Sequence, residues 1–320
     1  MDPIIELTEP RALESDYLAE FQKTRRVPQN LFYTNEGAEA FYLYRQPDFA
    51  ELGCAAECAF MASRGLWEAG DRLAFISLGC GNGQAEKSLL TALHDDGVPV
   101  SYFGVDSSRA MLELARANLA DAEFTSRFVL ADFAADHFVS RLRALTAGHD
   151  VRIYAMMGAT FGNFDQEFIA RVLQQLLEPG DYLYLDVVPR YCEDGADAAL
   201  CDRLSRLPQN MEGFFDSLLR RLCIDRASGE VFGKQVAEER LDTIRYTFCF
   251  RAEEQIRFPY FEGAATLDAG ECIELLTIRA YNPEALRAFL DSYGFETLDS
   301  FVPDAGQLSH LWQRLLFRRR

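Results

Sequence analysis

The stretch ISLGCGNGQAEKSLL, residues 76–90, sets three glycines at alternate positions, Gly79, Gly81 and Gly83, between an apolar run and a sequence of helical character. Such a turn lets a ligand approach the main chain closely, and the helix behind it offers N–H groups that lack intrahelical partners. The dinucleotide spacing G-x-G-x-x-G needs a third glycine where Gln84 stands, so this turn follows a G-x-G-x-G pattern instead. The reading is a strand, a tight turn and a helix that together hold a small cofactor.

Working outward, residues 50–69 have apolar residues at helical spacing and lead into the strand LAFISLG. A helix is expected over about 84–96, a second strand in VSYFGVDSS (100–108), and a helix over 109–120. Further strands are expected in SRFVLADF (126–133), VRIYAMMGATFGNF (151–164) and DYLYLDVV (181–188), with a helix in QEFIARVLQQLLEPG. Strands and helices of these lengths in alternation predict an α/β fold with a doubly wound, Rossmann-like parallel sheet.

After Pro189 the alternation stops. Residues 190–230 read as helical, 240–254 alternate with Ile244, Tyr246, Phe248 and Phe250 on one face, and 270–281 read as a strand. NPEALRAFLDSYGF (282–295) reads as a helix with an Asn cap, Pro at its first position and a glycine stop, and HLWQRLLF as a returning strand. The expected organisation is a core over 61–190, an auxiliary α+β lobe from 1–60 and 191–280, and a return to the core over 281–320.

Composition narrows the function. A net charge of −18 disfavours nucleic acid and anionic membranes as partners, since phosphate backbones are bound by cations. The opening MDPIIELTEP has no basic-plus-apolar leader and no apolar run approaches a membrane span, so a cytoplasmic protein is expected. The eight cysteines (54, 58, 80, 192, 201, 223, 249, 272) contain no C-x-x-C and read as thiols of a reducing compartment. Histidines 94, 137, 149 and 310 show no ligand spacing, so no metal is expected. The final RRR reads as a solvated end.

Three stations follow the strand ends: the glycine turn, Asp106-Ser107, and Asp132-Phe133. In an open parallel sheet these line one crevice. An acid at the second station can accept from ribose hydroxyls; Asp132 can accept from an adenine amino group while Phe133 packs on the ring. Each aspartate alone also fits a helix cap or a solvated turn. The fourth strand end, MMGATFGNFD, brings Gly158 and Asn163 to the same place. Asn163 can orient a substrate amine or carboxylate, or cap the helix that follows.

GATFGNF resembles the GSTIGNF-type motif of the histidine-specific S-adenosylmethionine (SAM)-dependent methyltransferase family. NLFYTNEGAEAF (30–41), GVDSS, VLADF and AGECIELLTIRAYNPEALRAFLDSYGF are similar to further segments of that family, over most of residues 30–300. The resemblance implies a methyltransferase that uses SAM, releases S-adenosylhomocysteine and serves natural-product biosynthesis. It implies SAM contacts at Gly79, Gly81, Gly83, Asp106, Ser107, Asp132, Phe133 and Gly158, and catalytic, substrate-holding roles for Tyr33 and Asn163.

The departures bear on the substrate. Where the family reads imidazole with a glutamate and a serine, this chain has Leu276 and Ile278, so the expected substrate is a small amino acid or amine other than histidine, methylated on nitrogen. Glu274 shares their face and can serve a cationic side chain or remain solvated. Ser77 stands where methyltransferases usually place an acid. A SAM-binding protein without catalysis and a nicotinamide oxidoreductase are the alternatives.

Overall fold

The computed structural model describes residues 3–7, 21, 23–27, 54–190, 212–257, 266–302 and 313–320. The chain divides into two compact units, one of Met1–Thr8, Pro47–Pro189 and Ala280–Arg320, the other of Glu9–Gln46 and Arg190–Arg279. Both Ile5–Glu6 and the helix beginning at Cys54 therefore lie in the first unit.

That unit runs through β1 (Ile5–Glu6), α1 (Cys54–Ser63), β2 (Leu73–Leu78), α2 (Gln84–Asp95), β3 (Val100–Asp106), α3 (Arg109–Asn118), β4 (Thr125–Leu130), α4 (Phe138–Thr146), β5 (Val151–Met156), α5 (Gln166–Leu176) and β6 (Tyr182–Pro189). These strands lie parallel in the order β1-β4-β3-β2-β5-β6. The winding reverses at β2, which has β3 on one side and β5 on the other, so a crevice opens at the carboxyl ends of β2 and β5.

Every residue of β2 is buried, which explains why LAFISL carries no polar alternation. Leu73 and Phe75 join a cluster with Leu89, Leu90 and Leu93 of α2 and Leu112 and Ala115 of α3. Each such side chain stabilises the fold by about 1.5–3 kcal/mol. The doubly wound α/β sheet expected from the sequence is what forms.

The second unit contains α6 (Glu212–Arg221), β7 (Gly229–Glu238), β8 (Thr243–Ala252), β9 (Ile256–Arg257), β10 (Thr266–Leu267) and most of β11 (Cys272–Tyr281). β7 and β8 form an antiparallel hairpin from Gly229↔Ala252 to Glu238↔Thr243, and β11 lies beside β8. Ile244, Tyr246, Phe248 and Phe250 share one core with Phe214, Phe215, Leu218 and Leu219 of α6. The helical reading of 190–230 is corrected at its end: the described helix stops at Arg221 and Gly229 already opens β7. A Cβ at Gly229 would collide with the Arg251 carbonyl, so close strand pairing selects glycine there.

Ala280 and Tyr281, the end of β11, belong to the first unit and pair with Val188 and Pro189 of β6. Then follow α7 (Pro283–Ser292), β12 (Phe295–Phe301) and β13 (Gln313–Arg319). As the sequence indicates, Asn282 caps α7 by accepting the Glu284 and Ala285 amides at 3.0 and 3.3 Å, with Pro283 at its start. β13 runs antiparallel between β6 and β12.

Candidate cofactor and substrate site

The glycine turn sits between β2 and α2, with Gly79, Gly81 and Gly83 all at positive φ. Its amides are mostly used within the protein: Gly79 and Cys80 donate to the Val105 carbonyl at 2.8 and 3.0 Å, Gly83 to Cys80, and Gly81 to Asp106 Oδ2 at 2.9 Å. The turn is thus not a row of open amide donors. What glycine supplies is space, because beyond its chain neighbours no atom of a described residue lies within 4 Å of where a Cβ of Gly81 would stand. Gly83 is buried against Ala115 of α3 and Leu119 just past its end, which a Cβ would approach to 3.2–3.3 Å.

Asp106 ends β3 and ties the turn to it. Its Oδ1 accepts the Ser108 amide at 2.8 Å and Oδ2 the Gly81 amide. Burial pushes this carboxyl up, and the Ser108, Gly81 and Ser107 amides pull it back down. Each oxygen retains a lone pair for a ligand hydroxyl. The cap of α3 is Ser108, which accepts the Met111 amide at 3.2 Å, and Ser107 between them is half-buried. Asp132, past β4, accepts the Ala134 amide at 2.8 Å. Phe133 is buried between Phe138 and Phe164, each with ring centroids 5.3 Å away.

At the end of β5, a 3₁₀ turn spans Thr160–Asn163. Gly158 donates its amide to Asp186 Oδ2 on β6 at 2.9 Å, and Arg314 of β13 donates to Asp186 Oδ1 at 3.0 Å. Thr160 donates to the Met157 carbonyl at 2.7 Å. The helix cap is Asp165, which accepts the Phe168 amide at 2.9 Å, and not Asn163. Asn163 is half-buried, and its side chain makes no hydrogen bond to a described residue. Tyr33 lies outside the described residues.

These stations share one end of the sheet, and they fit an adenosyl ligand with a sulfonium. There is open space at Gly81, a buried Asn82 amide nitrogen without a partner among the described residues, and a carboxylate at the β3 end.

A family model described as "Histidine-specific methyltransferase, SAM-dependent" matches residues 13–187. The chain belongs to that family.

It is a SAM-dependent methyltransferase. Among solved structures, the chain is similar to a protein of Pyrococcus horikoshii (14% identity, 90% of this chain and 96% of that one, TM-score 0.42). It is also similar to a SAM-dependent methyltransferase of Methanosarcina mazei (14% identity, 81% and 96% covered, TM-score 0.42) and to DesVI of Streptomyces venezuelae (14% identity, 88% and 96% covered, TM-score 0.42). No curated protein matches the sequence. Among the described residues no helix is long and apolar enough to cross a membrane, and no cluster of three metal-binding side chains occurs.

In the second unit, the segment expected to read the substrate lies on β11. Leu276 is buried in the core beneath α6, and Ile278 is partly buried against the same core. Glu274 meets Lys234 Nζ at 2.8 Å, Arg26 Nε at 2.9 Å and Arg245 Nη1 at 3.9 Å. Burial raises its carboxyl, but Lys234, Arg26 and Arg245 together hold it below its ordinary value. Glu274 is thus neither solvated nor open to a ligand cation without displacing one of its own.

Residues that sequence reasoning passed over are Glu86, Asp186 and Arg314. Glu86 had a signal, an acid in the first turn after the glycines, but nothing marked it as buried. Asp186 and Arg314 are 128 positions apart and meet only because β13 pairs with β6.

Proposed function

We propose that this methyltransferase methylates nitrogen on a small amino acid or amine other than histidine. The observation that carries the reading is the state of β11. Its one carboxylate at the reading positions, Glu274, is matched by Lys234, Arg26 and Arg245, and its neighbours there are Leu276 and Ile278. A polar ring placed against such a segment leaves its nitrogens unpaired, which discriminates strongly against it.

When bound, SAM supplies a methyl group on a sulfonium that an amine attacks in line. The protein's part is to hold both reactants in that alignment. In the proposal, Asp106, Ser107, Asp132, Phe133, Gly158 and the glycine turn hold the adenosyl part. Asn163 and Tyr33 hold the amino-acid end, the amide of Asn163 being able both to accept from an ammonium and to donate to a carboxylate. The attacking nitrogen must be neutral, so the amine arrives deprotonated or loses its proton to a nearby acceptor.

The second unit is proposed to read the side chain through the segment Glu274–Ile278 of β11, with Leu276 and Ile278 as the apolar surface and Glu274 kept charged by its own cations. The test is a screen of amino acids and amines with SAM, following S-adenosylhomocysteine release and product mass. The expected result is turnover of an amine other than histidine. Histidine as the best substrate overturns the assignment of β11 to substrate reading.

A further inference from the structure

Beneath the glycine turn lies an acid that the assignments above leave without a role. Glu86, in the first turn of α2, is 1% exposed, and Ser77 at the end of β2, fully buried, donates its hydroxyl to Glu86 Oε1. The other oxygen, Oε2, is buried with no hydrogen-bond partner among the described residues. An ionised carboxylate with an unpaired oxygen is a costly thing to bury, and its usual compensation is a cation.

The groups acting on it from the packed elements are Ser77 of β2, Cys80 of the turn, Tyr102 and Asp106 of β3, and Asp186 of β6. Asp186 is already paired with Arg314. Among the described residues that act on Glu86, the other ionisable groups are two acids, a thiol and a phenol, so this part of the fold is short of positive charge. Tyr102 and Cys80 crowd together over Gly104, where a Cβ would stand 3.0 and 3.1 Å from the hydroxyl and the sulfur.

We propose that Glu86 is the buried counter-charge of the cofactor site, supplied from the helix after the glycine turn while Ser77 occupies the strand end, and that it ionises as the cationic methyl donor binds. The proton leaves the Glu86 carboxyl for solvent and the resulting carboxylate, steadied by Ser77, faces a ligand carrying one net positive charge. Glu86 acts through space across the turn and is a positioning residue. In the ligand-free protein burial pushes its carboxyl up to about 7, with Asp106 and Asp186 adding to the rise and Ser77 opposing it, so the proton is present to be released near neutrality. The inference rests on the methyl-donor reading of the glycine turn.

The experiment is calorimetric titration of the full chain with SAM, and separately with S-adenosylhomocysteine, from pH 5.5 to 7.5 in buffers of different ionisation heat. For SAM, Kd is expected to weaken roughly twenty-fold from pH 7.5 to 5.5, with proton release on binding. S-adenosylhomocysteine, without the sulfonium, is expected to show a smaller change. Glu86→Gln, which keeps the shape, should lose both the pH dependence and the released proton, and Ser77→Ala should move the midpoint to higher pH. A wild-type affinity independent of pH, or a Glu86→Gln protein that still releases the proton, overturns the inference while leaving the cofactor reading intact. No SAM binding at any pH overturns both.

Discussion

Gly79 and Thr160 are locked together across the crevice: a Cβ on Gly79 would stand 2.5 Å from Thr160 Cγ2, and Gly79 has φ of +77°. The turn after β2 and the turn after β5 therefore pack with no room for a methyl group between them. Gly79→Ala is expected to lose about 1–3 kcal/mol of stability from its left-handed backbone and the collision, and to weaken SAM binding because the turn must shift. Thr160→Ser removes the colliding methyl while keeping the hydroxyl bonded to Met157, so adding it should recover part of the loss. Chemical denaturation and SAM titration of the single and double variants measure this; no recovery would place the cost wholly in the backbone.

Arg314 and Asp186 form a buried ion pair that also carries the Gly158 amide. Arg314→Met leaves a buried carboxylate without its cation, for which the expected loss is about 3–5 kcal/mol. The substitution should also loosen the turn that bears Asn163, weakening amine binding in whatever protein remains folded. Urea denaturation checks the first effect, and a loss below about 1 kcal/mol would mean that water or another cation compensates.

How much of this was legible follows from what each residue needed. β2 was readable because a strand buried on both faces is a nearly continuous apolar run, β5 from its buried end at Ile153–Met156, and α7 because Asn282-Pro283 is a local cap. β7 was not: GEVFGKQVAE is a half-exposed strand with two glycines, and its identity comes from β8 across the hairpin. Asp106 was readable as a strand-end acid, but its hold on the Gly81 amide was not, because that bond depends on the pairing of β2 with β3. The three cations around Glu274 come from residues 26, 234 and 245, and nothing local in β11 announces them.

Asn163 stands beside its neighbour Asp165, which does the capping. Since the Asn163 side chain makes no hydrogen bond to a described residue, removing it should cost the fold little. Asn163→Ala is expected to lower kcat/KM for the amine by about 1–3 kcal/mol, roughly 5- to 150-fold, while the Kd for SAM stays within two-fold. Steady-state kinetics with the amine found by screening, beside SAM titration, separates the two. An unchanged kcat/KM would remove Asn163 from the substrate site.

Glu86 makes stability depend on pH in a direction opposite to that of most carboxylates. In the folded chain its carboxyl is raised from 4.5 to about 7 by burial, partly offset by the Ser77 hydrogen bond. Below 4.5 the group is protonated in both states and costs nothing. Between 4.5 and 7 the unfolded chain releases the proton while the native chain keeps it, so the native state binds more protons and its stability falls as pH rises. The contribution lost by pH 8 is about 3 kcal/mol. Glu86→Gln cannot titrate, so the stability difference between this variant and the wild type should shift by most of that amount in favour of the variant from pH 5 to pH 8, whatever the other carboxylates do. Urea denaturation of both proteins without SAM at the two pH values measures the shift. Parallel pH profiles would mean that Glu86 is ionised in the folded protein, with its charge already balanced.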